Sequence, residues 1–385
     1  MREVVVLGVG MTRFGKHPDK GLKELGTEAI WNAVEDANIP PKDIPIIYVA
    51  NAMGQQLTEL RGTIAQHVVS HAGFMGMPVI NVENACSGGS TALRSCILEV
   101  ASGNYDVAMA VGVEKMCIAD TARSAAAMAF GTILGKFGFM FVGLYAMNLR
   151  RLMEKYGLTR EHFAKVVVKN TKNGALNPYA QFRQPRTMEE ILNSRVVSDP
   201  LTLLMCSTMA DGGAAAIVTT RDKAAKYSSK TPITIAACEL VSGTPTSADA
   251  VHVPIETRAS RQAYEKAGVS PEDIDVVECH DAMAPAELLI YEELGLCGEG
   301  EAGRWIDEGK TEINGVVAVN PSGGLASKGH PVSATGLAQI SEIVWQLRGE
   351  AGERQVPNAK IGMTENAGGW VMDDNAACAI TILKK

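Results

Sequence analysis

Asn84-Ala85-Cys86-Ser87-Gly88-Gly89-Ser90 is the stretch from which the rest of the chain is read. It follows the strand-like Met77-Pro78-Val79-Ile80 and precedes the helix-like Ala92 to Leu98. A thiol at a strand-to-helix turn faces a helix N-terminus, whose amides lower a cysteine pKa and can cradle an oxyanion. The glycines after Cys86 leave its sulfur uncrowded for a bulky electrophile. The alternative is a small buried cysteine in a core turn.

A second turn of similar design favours chemistry over packing. Asn320-Pro321-Ser322-Gly323-Gly324 runs through Lys328-Gly329-His330-Pro331 to Thr335-Gly336, between the apolar Val316 to Val319 and a helical stretch over Leu337 to Leu347. Pro331 biases His330 toward extended backbone, and Gly329 permits a close approach. Cysteine plus histidine is the minimal pair for an activated thiolate. A histidine at such a turn also serves as a cap, but the glycine cluster around His330 favours a functional role.

The order strand, helix, strand, glycine-rich turn, helix occurs twice. Val4 to Gly10, Leu25 to Ala37, Ile46 to Ala50 and Met77 to Val100 are echoed by Ile233 to Cys238, Thr257 to Ala267, Ile274 to Glu278 and Val316 to Leu347. Buried strands alternating with helices predict an α/β chain, and the echo predicts an internal duplication. Cys86 and His330 then occupy corresponding turns, which a pseudo-twofold arrangement can bring face to face. The boundaries predicted are 1–115 plus 200–228 for the N-terminal half, 116–199 for an inserted loop domain over the site, and 229–385 for the C-terminal half.

Composition narrows the function classes. The 385 residues suffice for two full cores. A net charge of -7 implies neither nucleic acid nor an anionic membrane as general partner. The eight cysteines form no C-x-x-C pair, so neither a metal site nor a redox dithiol is expected. No apolar run approaches the roughly 18 residues of a membrane span. The expected location is a reducing cytoplasm.

With these pieces placed, the chain resembles the thiolase superfamily over essentially its whole length, and most of all its archaeal and sterol-carrier-protein types. The resemblance rests on Asn84 to Gly89, Asp211-Gly212-Gly213-Ala214-Ala215-Ala216, His280-Asp281-Ala282-Met283, Asn320 to Pro331 and Asn366-Ala367-Gly368-Gly369. It implies a five-layer αβαβα thiolase fold, coenzyme A and acyl-CoA as substrates, and no permanently bound cofactor. Cys86 would be acylated and His330 would activate it. His280 would line the oxyanion hole for the enolate. The backbone amides of Cys86 and Ala367 would form the second hole, with Asn320 and Gly368 supporting the site.

Two departures follow from the same resemblance. Many thiolases place an acid/base cysteine near the C-terminus, and alignment of Gly368-Gly369 puts Glu365 there. Other types carry that cysteine after His-Asp, where this chain has Ala282. The proton role is therefore expected at Glu365, at His280 or at His330; alternatively Glu365 only bonds a nearby loop. Cys378 and Cys279 read as buried strand residues. The altered site suggests an α-substituted or bulky acyl group, such as that of 2-benzoylsuccinyl-CoA. Met116 to Met147 with Phe130, Phe137, Phe139 and Phe141 would line its pocket or simply form core. The other readings are acetoacetyl-CoA formation, decarboxylative condensation and a non-catalytic acyl-CoA-binding subunit. A homodimer and a small zinc-ribbon and OB-fold partner subunit are the implied assemblies.

Overall fold

Val4 and Val6 point into one core while Val5 and Leu7 point into another. This period-two alternation of a strand buried on both faces sets the layering. The computed structural model describes residues 2–127, 138, 140–244, 253–371 and 374–385. Phe130, Phe137 and Phe139 therefore lie outside the described residues.

The strands are β1 (Val4–Met11), β2 (Ile47–Ala50), β3 (Val79–Val82), β4 (Val107–Glu114), the short β5 (Val196–Ser198) and β6 (Leu201–Thr202), β7 (Gly212–Thr220), β8 (Ile233–Ser242), β9 (Val276–Glu278), β10 (Ala318–Val319), β11 (Ile361–Gly368) and β12 (Ala377–Lys384). The first half runs β3-β2-β4-β7-β1, and the second runs β10-β9-β11-β12-β8. Strand for strand this is one order used twice. In each half the first three members are mutually parallel and the last two join antiparallel. The duplication read from the sequence is thus present in the hydrogen bonding. The halves touch along β1 and β8, where Val5 pairs with Thr234 and Val6 with Ile233.

Three cores separate the layers. Helices Leu22–Ala37 and Ile64–His71 cover the outer face of the first half. Helix Ile255–Ala267, with Arg160–Leu176 and Glu287–Glu293, covers the outer face of the second. Between the halves lie Gly88–Ser102 and Thr335–Arg348, the helices that follow the cysteine and histidine turns. The result is helix, sheet, helix, sheet, helix. Thr335–Arg348 is buried on every side except at Trp345 and Arg348. Within it Glu342 takes Arg354 in a two-pronged ion pair, with Nε–Oε1 at 2.9 Å.

Glycine decides how close the two turns can come. A side chain on Gly112 of β4 would put its Cβ 2.3 Å from the Ser333 carbonyl oxygen, and one on Gly89 would put it 2.6 Å away. Both neighbours are backbone and cannot yield cheaply. Gly112→Ala is expected to lower stability by about 1–3 kcal/mol through overpacking. A urea unfolding midpoint equal to that of the parent would contradict this account of the inter-turn contact.

Candidate active site

Cys86 sits on the single turn Ala85–Ser87, directly before helix Gly88–Ser102. Ala85 takes the left-handed conformation, at φ 48°. An alanine held there costs on the order of 1 kcal/mol, so the surroundings must enforce it. They do so from β11: Ser87 Oγ donates to the Asn366 carbonyl at 2.6 Å, and Ser90 Oγ donates to Asn366 Oδ1 at 2.8 Å. Gly368 lies so near that a Cβ there would meet the Cys86 nitrogen at 2.9 Å.

His330 enters from the other half. Its backbone N–H donates to the Thr208 carbonyl at 2.9 Å. Its Nδ1 lies 2.8 Å from Thr335 Oγ1, and that hydroxyl donates to the Pro331 carbonyl at 3.3 Å. The hydroxyl proton is therefore used, so Nδ1–H donates to Thr335 and the Nε2 lone pair is free; the tautomer is assigned from this pattern. Nε2 stands 3.4 Å from Cys86 Sγ and 3.4 Å from His280 Nε2. The two imidazoles meet edge to face, with centroids 5.0 Å apart.

His280 follows β9. Neighbouring Cys279 donates its N–H to Asn320 Oδ1 at 3.0 Å, and Asn320 Nδ2 donates to Glu287 Oε2 at 2.7 Å. Asn320 thus fixes the end of the strand that carries His280. The His280 N–H donates to Glu365 Oε2 at 2.7 Å. Beneath the histidine turn, Lys328 pairs with Glu278 at 2.9 Å and Lys169 with Glu287 at 2.6 Å, all four fully buried. Half of such a pair would be a costly buried charge, so this network holds one arrangement of the turn.

The expected residues are divided between two adjoining cavities. One, of about 90 Å³, holds Cys86, His280 and His330 among Met53, Phe141, Ala282, Met283 and Val332. The other, of about 190 Å³, is lined by Glu365, Glu256, Glu293 and Arg151. His280, Tyr145 and Asn375 belong to both. Glu365 does not line the cysteine cavity; its carboxyl lies behind the His280 backbone. Ala282 does line it, in the space that a cysteine would otherwise fill. Cys279 and Cys378 are buried, as read from the sequence.

One expectation changes. Burial pushes the Cys86 thiol up to about 12, against the pull of the Gly369 and Cys86 amides. The helix N-terminus does not yield a resting thiolate, because loss of water outweighs it. Burial also takes His280 down to about 4 and holds His330 well below its ordinary range, with His280 adding to the effect on His330. The resting triad is therefore neutral. The amides of Gly369 and Cys86 act on the Cys86 sulfur, and that of Ala367 acts on the Glu365 carboxyl. Gly369, Thr335 and Tyr145 were not singled out from the sequence. Thr335 carried a signal as part of the Thr-Gly pair after His330-Pro331, and Gly369 as the end of Asn366-Ala367-Gly368-Gly369; Tyr145 carried none.

The ligating atoms of Cys86, His280 and His330 lie within 4.8 Å of one another, as do those of Glu256, Glu365 and Cys378. Either spacing would admit a metal ion on distance alone. Residues 4–222 match the thiolase N-terminal domain and residues 244–383 the thiolase C-terminal domain-like family. The chain belongs to the thiolase family.

Relatives of this thiolase include the acetyl-CoA acetyltransferase of Methanothermobacter thermautotrophicus, 43% identical over 96% of this chain and 97% of that protein. Human sterol carrier protein 2 is 38% identical over 96% of this chain and 70% of its own length. The benzoylsuccinyl-CoA thiolase subunit BbsB of Thauera aromatica is 38% identical, over 96% and 95% respectively. Two solved structures share the fold. One is an Ltp2-ChsH2(DUF35) aldolase, with TM-score 0.80 and 24% identity over 98% of this chain and 97% of that one. The other is human mitochondrial 3-ketoacyl-CoA thiolase, with TM-score 0.75 and 20% identity over 100% and 99%. As a thiolase the protein is an acyltransferase.

Burial drives Glu365 up to about 8 from an ordinary 4.5, with the Glu256 charge adding to it. A carboxyl raised on folding contributes stability that is complete below pH 4.5 and is lost as pH climbs to about 8. Glu365→Gln keeps an acceptor for the His280 amide and removes this titration. At pH 9 the variant should melt several degrees above the parent, and the gap should close by pH 5. A melting difference that does not change with pH would refute the buried, uncharged state of Glu365.

Proposed function

We propose that this thiolase cleaves a 3-oxoacyl-CoA with coenzyme A through an acyl-Cys86 intermediate. The observation that carries the reading is the 3.4 Å contact of Cys86 Sγ with His330 Nε2, with His280 Nε2 at the same distance from that nitrogen. A neutral thiol beside a neutral imidazole suits a nucleophile deprotonated only as it attacks.

In this reading His330 takes the Cys86 proton while Thr335 steadies its Nδ1–H. The amides of Cys86 and Gly369 hold the oxyanion of the tetrahedral adduct. His280, whose Nε2 lies 3.4 Å from His330 Nε2, offers an N–H to the enolate oxygen of the leaving thioester. A preorganised donor of this kind is worth about 3–4 kcal/mol at developing charge. Glu365 acts as a positioning residue, holding the His280 backbone in place.

The acyl group is proposed to be branched or aromatic, as in 2-benzoylsuccinyl-CoA. The likeness to BbsB and the apolar wall of Met53, Phe141, Met283 and Val332 beside Cys86 support this. Acetoacetyl-CoA formation from acetyl-CoA has equal support from the acetyl-CoA acetyltransferases of two archaea, at 43% and 41% identity. A homodimer is favoured by the open sheet edge at β3, whose Val79, Ile80 and Val82 are only half-buried. A small zinc-ribbon and OB-fold partner subunit is supported by the subunit naming of BbsB and by the two-component title of the Ltp2-ChsH2(DUF35) aldolase. A reducing cytoplasm remains the proposed location, and among the described residues no helix is long and apolar enough to cross a membrane.

The test is thiolytic cleavage of a 3-oxoacyl-CoA panel, against acetyl-CoA alone, in parent and Cys86→Ser. Cleavage of at least one substrate, reduced about 10⁴-fold or more in the variant, is expected. Undiminished turnover in Cys86→Ser would sink the mechanism. Turnover of acetyl-CoA alone, with no branched or aromatic substrate accepted, would select the second reading.

A further inference from the structure

Cleavage leaves an enolate whose carbon must be protonated. Neither position where this chain was expected to carry an acid/base cysteine supplies a proton donor in the cysteine cavity. One holds Ala282, and the carboxyl of Glu365, at the other, opens into the neighbouring cavity. His330 already holds the Cys86 proton at that stage.

Two hydroxyl side chains line this space, Ser207 and Tyr145, and of the two only the phenol is acidic enough to give up its proton readily. Tyr145, on helix Phe141–Tyr156 of the inserted segment, lines both cavities and is half-buried. Its phenol makes no hydrogen bond with any described residue. It lies within electrostatic reach of Cys86 on one side, and of Glu256, Glu365 and Glu293 on the other. The body of the ring packs against the core of the second half. An anchored ring whose hydroxyl bonds no described residue, lining the cavity that holds Cys86, is placed to give a proton.

We propose that Tyr145 is the catalytic acid of the carbon–carbon step, donating its phenol proton to the enolate carbon. The proposal rests on the thiolase reading above. Cys86 Sγ bonds the 3-oxo carbon as its proton passes to His330. The C2–C3 bond breaks, and its electron pair stays on C2 as the enolate. The Tyr145 proton goes to C2, releasing the shortened thioester. The thiol of incoming coenzyme A restores the Tyr145 proton, and its sulfur attacks the acyl carbon. Cys86 leaves and recovers its proton from His330, so no proton is gained or lost over the cycle.

The surroundings keep this donor loaded. Burial holds the phenol above its ordinary pKa, and Cys86, Glu256, Glu365 and Glu293 nearby would further oppose its ionisation wherever they carry charge. Tyr145 therefore rests as O–H at neutral pH. In the reverse reaction the same group would take the proton from C2 of the attacking thioester.

The experiment separates acyl transfer from carbon–carbon chemistry in Tyr145→Phe. Exchange of isotopically labelled coenzyme A into an acyl-CoA moves no carbon-bound proton: His330 passes the Cys86 proton to the departing coenzyme A sulfur and takes one back from the incoming thiol, so Tyr145 stays protonated throughout. Cleavage of a 3-oxoacyl-CoA, and deuterium uptake at C2 of acetyl-CoA in heavy water, need the proton step. Tyr145→Phe should exchange coenzyme A at the parent rate while cleavage and deuterium uptake fall by about 10²–10⁴-fold. Parent-like cleavage in the variant would overturn the proposal. So would an equal fall in all three rates, which would mark Tyr145 as a packing residue. Absence of coenzyme A exchange in the parent protein would instead refute acyl-Cys86 formation, the reading beneath it.

Discussion

The contact between two backbone turns, one from each half of the duplication, is the constraint on which the site depends. The Ser333 carbonyl lies where side chains on Gly89 and Gly112 would be, and Gly368 leaves room for the Cys86 nitrogen. Only because these positions lack a Cβ can His330 come within 3.4 Å of Cys86 across 244 residues of chain. The pseudo-twofold topology supplies the direction of approach, and glycine supplies the last few ångströms. The buried pairs Lys328–Glu278 and Lys169–Glu287 then hold the histidine turn in one arrangement.

The approach has an electrostatic consequence. Burying a thiol and two imidazoles together removes the water that would support any of their charged forms. The thiol is raised and both histidines are lowered. A site of this kind waits neutral and separates charge only when substrate supplies an oxyanion partner for the donors. The same dryness raises Glu365, Glu256 and Glu114. Much of the interior electrostatics is thus one effect, desolvation, felt with opposite sign by acids and bases.

The duplication was legible because it is written in order: strands of like length, helices of like spacing and a glycine-rich turn at the same place in each half. Cys86 and His330 were legible because unusual backbone chemistry flanks them. Their electrostatics were not, since the helix N-terminus and the burial of Cys86 act oppositely and only packing decides between them. A run such as Asn366-Ala367-Gly368-Gly369 does not reveal which N–H turns toward the sulfur. Glu365 was placed in the right neighbourhood but on the far side of His280, because adjacent strand residues face opposite ways and the cavity wall runs between them. Tyr145 had no motif at all. Its position follows from how the inserted segment folds back over the second half, which no local pattern encodes.

The central claim is that Cys86 carries the acyl group. Acid-quenched peptide mass spectrometry of the parent protein, mixed briefly with a 3-oxoacyl-CoA without free coenzyme A, tests it directly. The account predicts a mass gain equal to the acyl group on the peptide containing Cys86, discharged when coenzyme A is added before the quench. A substrate that is consumed while Cys86 stays unmodified at every time point, or an acyl group found on another cysteine, would contradict it.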